Sequence, residues 1–191
     1  MTHLSLEATG ELPRLVTPDL LWTGGCLEVA YKGGMVHGHF STFLLKGSEK
    51  TILVDTGHPK NWATIERDVD AFLDGRPLDY LFPTHAEFPH SGLFPNWMAK
   101  FPNLVAVGDL RDYDLYSPEL TGRLKHVDPG HILDLGDKRL MFIPAIWRDM
   151  PSTMWAFEMV ERMLFVADAF AFLHYHKHGQ CDLMTSEQPI P

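Results

Sequence analysis

The sequence predicts an α/β fold, a mixed β-sheet with helices on its outer face, and three observations predict it. Short apolar runs alternate with helical segments in the first half of the chain. Strand-like segments joined by tight turns fill the second half. Gly, Pro and Asp punctuate the chain at short intervals, with no internal repeat, low-complexity tract or interior linker. With 191 residues, 45% of them hydrophobic and 21% charged, residues 1–191 are expected to form a single domain, with a core over about 20–175 and a flexible tail at 179–191.

Residues 22–31 and 40–46 read as strands joined by a turn at Gly33 and Gly34. Residues 51–55 are a short apolar run ended by Asp-Thr-Gly, the pattern of a buried strand stopped by a turn. Within 63–73, Ile65, Val69 and Phe72 recur at helical spacing and Gly75 closes the segment. Residues 78–83 form a second buried strand that delivers the chain to Thr84-His85-Ala86-Glu87-Phe88-Pro89-His90-Ser91-Gly92. A short helix is expected over 93–100 and a strand over 104–107, while 109–114 is too irregular for a calcium loop and reads as a solvated turn. Residues 131–135, 138–144, 153–160 and 162–167 read as consecutive strands, with hairpins at Gly136-Asp137 and Glu161-Arg162. Beyond Asp168, His174, His176 and His178 read as a solvated His-rich turn.

Composition excludes several function classes. Sixteen basic against 25 acidic residues, a formal charge of −9, argue against a sequence-independent grip on nucleic acid, which needs a basic face. No apolar stretch reaches the roughly 18 to 20 residues that span a bilayer, and the N-terminus lacks the positive start and apolar middle of a secretory signal. Cys26 and Cys181 make no disulfide framework, and Cys26, on an expected strand, reads as core packing. A cytoplasmic protein is expected, with neither nucleic acid nor a membrane as partner. The sequence has no Gly-x-Ser-x-Gly elbow, P-loop or dinucleotide fingerprint. What stands out is eleven histidines, several of them clustered.

His85, Glu87 and His90 fall within six residues directly after an apolar strand. A loop at a strand end can aim side chains into a common cleft while the sheet holds its backbone rigid. Two imidazoles and a carboxylate are ligands suited to zinc, iron or manganese, and Gly92 lets backbone pass close to such a site.

Residues 83–92, Pro-Thr-His-Ala-Glu-Phe-Pro-His-Ser-Gly, resemble the metal-binding signature of the metallo-β-lactamase superfamily, and Glu87, where most members have His, resembles the flavodiiron branch. Val54-Asp55-Thr56-Gly57 is similar to the turn that buttresses the metal loop in that superfamily. Residues 130–143 resemble its hairpin leading to the second ligand region, and 164–170 resemble the strand end that supplies a bridging Asp, here Asp168. The resemblance implies a metallo-β-lactamase-like αβ/βα sandwich with mixed β-sheets, shortened at its C-terminus. Three family ligands lack a counterpart. Pro89 stands where the signature has an acid, and Trp147 where the flavodiiron pattern has His, with Pro151-Ser-Thr-Met154 following after a short insertion. The last family His lies beyond where this sequence ends, at Pro191.

The resemblance therefore implies one divalent metal ion, zinc ahead of iron or manganese, on His85, Glu87, His90 and Asp168. Two cations would need more anionic and imidazole donors to offset dehydration and mutual repulsion. The expected function is a metal-dependent hydrolase of a small-molecule ester, lactone, amide or activated aryl ether, with water activated by the metal and Glu87 or Asp168 as base. His37, His39, Phe88 and Trp147 are expected at the substrate pocket, and His58 near the metal face. Two alternatives stand beside it: an iron-dependent oxygen- or nitric-oxide-handling protein like the flavodiiron branch, and a metal-free structural subunit of a paired complex. A homo- or hetero-oligomer is expected, because some members of the superfamily work as unlike paired subunits.

Overall fold

Strand β1 (Arg14–Thr17) opens a seven-stranded sheet that continues in spatial order through β2 (Leu20–Tyr31), β3 (Gly34–Lys46), β4 (Thr51–Val54), β5 (Tyr80–Phe82), β6 (Val105–Gly108) and β7 (Leu124–His126). The structure, a computed structural model, describes residues 12–171 and 173. The tail at 179–191, Cys181, His174, His176 and His178 lie outside the described residues. Strands β1 to β4 pair antiparallel and β4 to β7 pair parallel. Parallel neighbours need crossovers. These are α1 (Trp62–Leu73), then α2 (Phe88–Ser91) with α3 (Phe94–Lys100), then α4 (Arg111–Tyr116). A second sheet of β8 (Ile132–Asp134), β9 (Arg139–Pro144), β10 (Met154–Glu158) and β11 (Met163–Phe165) runs in the order β11-β10-β9-β8, antiparallel throughout. The mixing of strand directions is thus confined to the first sheet, because no crossover helix joins consecutive strands of the second.

Strand β4 shows why its apolar run is continuous. Successive side chains point to opposite faces of a sheet. Leu53 joins Leu21, Leu44 and Leu81 under Ile65, Val69 and Trp97 of the helices. Ile52 and Val54 face the second sheet, with Leu45, Phe82, Phe142, Ala156 and Phe165. The centre of the first sheet, at β4 and β5, is therefore buried on both faces. Helix α1 buries Ile65, Val69, Phe72 and Leu73 and stops where Asp74 and Gly75 take φ of 48° and 83°. Its buried Asp68 accepts a hydrogen bond from Thr23 Oγ1 at 2.7 Å, which ties the helix to β2.

Several elements depart from the sequence reading. Strands β2 and β3 pair from Leu20↔Leu45 out to Tyr31↔Gly34, closed by left-handed Lys32 and Gly33. His37 and His39 consequently lie within β3 rather than in a loop. Cys26 is half-buried on β2, its Sγ 3.3 Å from His37 Nδ1, and is not part of the core. The expected solvated turn at 109–114 overlaps helix α4, whose one buried residue is Tyr113. A six-residue helix with one buried position leaves no readable period. Strands β1 and β7, four and three residues long, escape the same way. Among the described residues no helix is long and apolar enough to cross a membrane.

Phe82 and Phe142 meet edge to face between the two sheets, centroids 4.9 Å apart, and both are fully buried. Phe142→Ala is expected to cost about 3–5 kcal/mol of stability, read by urea unfolding of the metal-free protein. A loss under about 1 kcal/mol would contradict this packing of the inter-sheet layer.

Candidate metal centre

Two parallel strands end together at the site. Val54 of β4 lies opposite Phe82 of β5, and the Asp55 N–H donates to the Phe82 carbonyl at 2.9 Å. Asp55 adopts a left-handed φ of 59°, which Asp tolerates better than most residues. Its carboxylate is fully engaged. Oδ1 accepts from the Thr84 N–H and the Thr84 hydroxyl, both at 2.8 Å, and Oδ2 accepts from His90 Nδ1–H at 2.8 Å. Thr56 continues the clamp: its N–H donates to the His90 carbonyl at 2.7 Å, its Oγ1 accepts from the Leu93 N–H, and its carbonyl accepts from Trp97 Nε1. Gly57 has φ of 87°, and a Cβ there would run into Ile65. A Cβ on Gly92 would meet the Phe88 carbonyl and the Pro59 ring. Pro89 sits in the first turn of α2, where its missing N–H costs nothing.

These contacts bring four sequence-predicted residues together. Donor atoms of His85, Glu87, His90 and Asp168 all lie within 4.8 Å of one another. The imidazole of His85 is fully buried, and that of His90 nearly so. Tyr113, whose hydroxyl burial pushes well above its ordinary value and so keeps protonated, donates to the His85 carbonyl at 3.3 Å.

Hydrogen bonding fixes which nitrogen each imidazole presents. A carboxylate only accepts, so the Thr84 hydroxyl spends its proton on Asp55, and its oxygen, 3.2 Å from His85 Nδ1, receives the Nδ1–H. His85 Nε2 then faces the site, 3.4 Å from Glu87 Oε2 and 3.4 Å from Asp149 Oδ2. His90 likewise gives Nδ1–H to Asp55 and leaves Nε2 for the site. This is the arrangement in which a carboxylate orients a metal-binding imidazole through its far nitrogen. For His90, burial alone lowers the pKa, but Asp55, with smaller contributions from Asp168 and Glu87, outweighs it and raises the imidazole above its usual value. A buried Nε2 lone pair facing two carboxylates is repulsive unless a cation sits among them. The donor set therefore fits a divalent metal ion, with two imidazoles and carboxylates around it.

The remaining predicted residues lie as follows. A cleft of about 610 Å³ opens on the donors and is lined by His39, Glu87, His90, Asp168 and Phe170 together with apolar residues such as Trp22, Phe43 and Phe165. His37 is not among the lining residues; it is buried beside Cys26. Phe88 is 59% exposed and packs edge-on against His58, whose ring stacks on Phe40. Trp147 is 57% exposed and packs against Trp155 and Phe170. Asp149 is the functional candidate that sequence reasoning passed over. It lies in the short insertion after Trp147, where a lone acid carries no motif that could have found it.

Asp55→Asn keeps the left-handed turn, which Asn also tolerates, but removes the charge that orients both imidazoles. Its expected effect is a fall in metal affinity of about 10–100-fold with an unchanged far-UV circular dichroism spectrum, measured by competition with a chromophoric chelator. Unaltered affinity would refute the orienting role.

The chain matches the metallo-beta-lactamase superfamily over residues 35–174. Among curated relatives, the coenzyme F₄₂₀H₂ oxidase of Methanocaldococcus jannaschii is 32% identical over 155 residues, covering 71% of this chain and 36% of the relative. The anaerobic nitric oxide reductase flavorubredoxin of Pectobacterium atrosepticum is 29% identical over 147 residues, covering 73% of this chain and 28% of the relative. The chain thus spans about a third of the length of these curated relatives. The fold is shared with the flavodiiron protein from Giardia intestinalis, at a TM-score of 0.65 and 18% identity over 86% of this chain and 42% of that one. It is shared also with the rubredoxin oxygen:oxidoreductase from Desulfovibrio gigas, at a TM-score of 0.65 and 17% identity over 76% of this chain and 38% of that one. The hydrolase expected from the sequence is overturned here: these relatives are named as an oxidase and a reductase, and zinc as the first choice of metal loses its support with the hydrolase. Signature, sandwich and relatives converge, and the chain belongs to the metallo-beta-lactamase superfamily, in its flavodiiron-like branch.

Proposed function

We propose that the chain is an iron-dependent module that handles dioxygen or nitric oxide, with one iron ion held by His85, Glu87, His90 and Asp168. The observation that carries this reading is the likeness of most of the chain to an oxidase and a nitric oxide reductase, in a chain with the His-x-Glu-x-x-His form of the signature. The donor chemistry supports iron, since two imidazoles with carboxylates and open positions suit a non-haem ferrous ion. When bound, the iron supplies one-electron redox chemistry and positions open to a diatomic gas. The residues of the chain supply the rest. Asp55 keeps both Nδ1 protons in place, so both Nε2 atoms stay available as ligands. Trp22, Phe43, Phe165 and Phe170 give the cleft an apolar wall that admits a small uncharged molecule and disfavours water. Glu87, half exposed at the mouth of the cleft, is placed to pass protons between solvent and the site. Reduction of either gas consumes electrons and protons in equal number, so this reading requires an electron donor that the described residues do not supply.

The test is to load the chain anaerobically with ferrous iron, supply electrons from a photoreduced flavin, and follow dioxygen and nitric oxide with electrodes. The iron-loaded protein is expected to consume at least one gas faster than the zinc-loaded protein and faster than an iron-treated His85→Ala variant. Equal rates in all three would contradict the proposal.

A further inference from the structure

The segment between β9 and β10 carries the departure that most affects the donor count. Trp147, at the place where the resemblance puts a His, lies with its ring edge-on to Phe170, centroids 5.1 Å apart, and has no nitrogen suited to a metal. Two residues later, Asp149 comes to the His85 imidazole from the insertion. Its Oδ1 is engaged, accepting from the Met150 N–H at 2.8 Å and from the Thr153 hydroxyl at 2.7 Å. Its Oδ2 is left facing His85 Nε2 at 3.4 Å. The segment is anchored beside the metal loop, because the Met154 N–H donates to the Thr84 carbonyl at 2.8 Å.

The 3.4 Å separation is informative. A charge-assisted hydrogen bond between an imidazolium and a carboxylate closes to about 2.7–2.9 Å. Two ligands of one ion, each at about 2.1 Å from it, stand about 3.0 Å apart at right angles and about 3.4 Å apart at the tetrahedral angle. Both Glu87 Oε2 and Asp149 Oδ2 stand at the second of these distances from His85 Nε2. Donors of one ion stand at most about 4.2 Å apart, and Asp149 is outside the four residues whose donor atoms lie within 4.8 Å of one another, so it joins the ion at His85 by turning further into the cluster.

We propose that Asp149 is a metal ligand of this chain, its Oδ2 bound to the ion held by His85 Nε2 and standing in for the donor that Trp147 does not provide. This rests on the metal-centre part of the proposed function and is independent of its redox part. A carboxylate here in place of an imidazole adds a negative charge beside Glu87 and Asp168, which favours a hard, highly charged cation.

Asp149→Asn isolates the role, because Asn keeps the oxygen that accepts from Met150 and Thr153 and replaces Oδ2 with an amide nitrogen that does not ligate. The measurement is titration of the full chain with Co(II), whose visible absorption reports its ligands, alongside thermal unfolding of the metal-free proteins. Asp149→Asn is expected to weaken Co(II) binding at least about tenfold and to change the visible bands, with metal-free stability retained. Asp112→Asn, which alters the carboxylate bonded to Ser152 Oγ, is expected to leave both unchanged. Wild-type affinity and an unchanged spectrum in Asp149→Asn would overturn the ligand role alone. Failure of the unaltered chain to bind Co(II) would overturn the metal centre and the ligand role together.

Discussion

The Asp55 carboxylate is the point on which the site depends. It sits at the end of a strand buried on both faces, in a turn whose left-handed backbone few residues accept. One of its oxygens holds Thr84, and through Thr84 the tautomer of His85; the other holds His90 directly. Both Nε2 atoms are thereby offered to the same small volume. Neither imidazole depends on its own rotamer alone, because the turn that orients them is continuous with the central sheet. Thr56 reinforces the arrangement by bonding the backbone of the short helix that bears His90.

The electrostatics follow from that geometry. Asp55, Glu87, Asp149 and Asp168 surround two buried or nearly buried imidazoles, an acidic enclosure within a chain of formal charge −9. Such an enclosure is costly to desolvate without a cation. A cation in the enclosure offsets the mutual repulsion of the carboxylates and occupies the lone pairs that the hydrogen bonds leave pointing inward. With an uncharged Trp147 where the family has a histidine, the Asp149 carboxylate beside His85 makes this balance more anionic. The ring of Trp147 turns to Trp155 and Phe170 while Asp149 approaches the donors.

Much of this was legible in the sequence, and for physical reasons. The run at 51–55 announced a strand buried on both faces, and Asp-Thr-Gly its stop, because those residue types are what such a strand and such a turn require. The spacing of His85, Glu87 and His90 after β5 announced convergent donors. Asp149 was not legible, because a lone acid in an insertion carries no period and no motif, and its contact with His85 spans 64 residues of chain. The depth of the β2–β3 hairpin was also hidden, since Gly34-Met35-Val36-His37-Gly38-His39 holds two glycines and no regular alternation of apolar and polar residues. His37 and His39 therefore read as a loop although both sit in a paired strand. Chemistry was the least legible part, because one fold and one signature serve both hydrolysis and redox reactions, and only the relatives distinguish them.

The central claim is that Asp55 presents two Nε2 atoms to one ion. It is tested most directly by an iron-edge anomalous difference map from crystals of the iron-loaded chain. One peak is predicted, within bonding distance, about 2.1 Å, of both His85 Nε2 and His90 Nε2. A peak bound through Nδ1 of either residue, or iron lying away from both, would contradict the account.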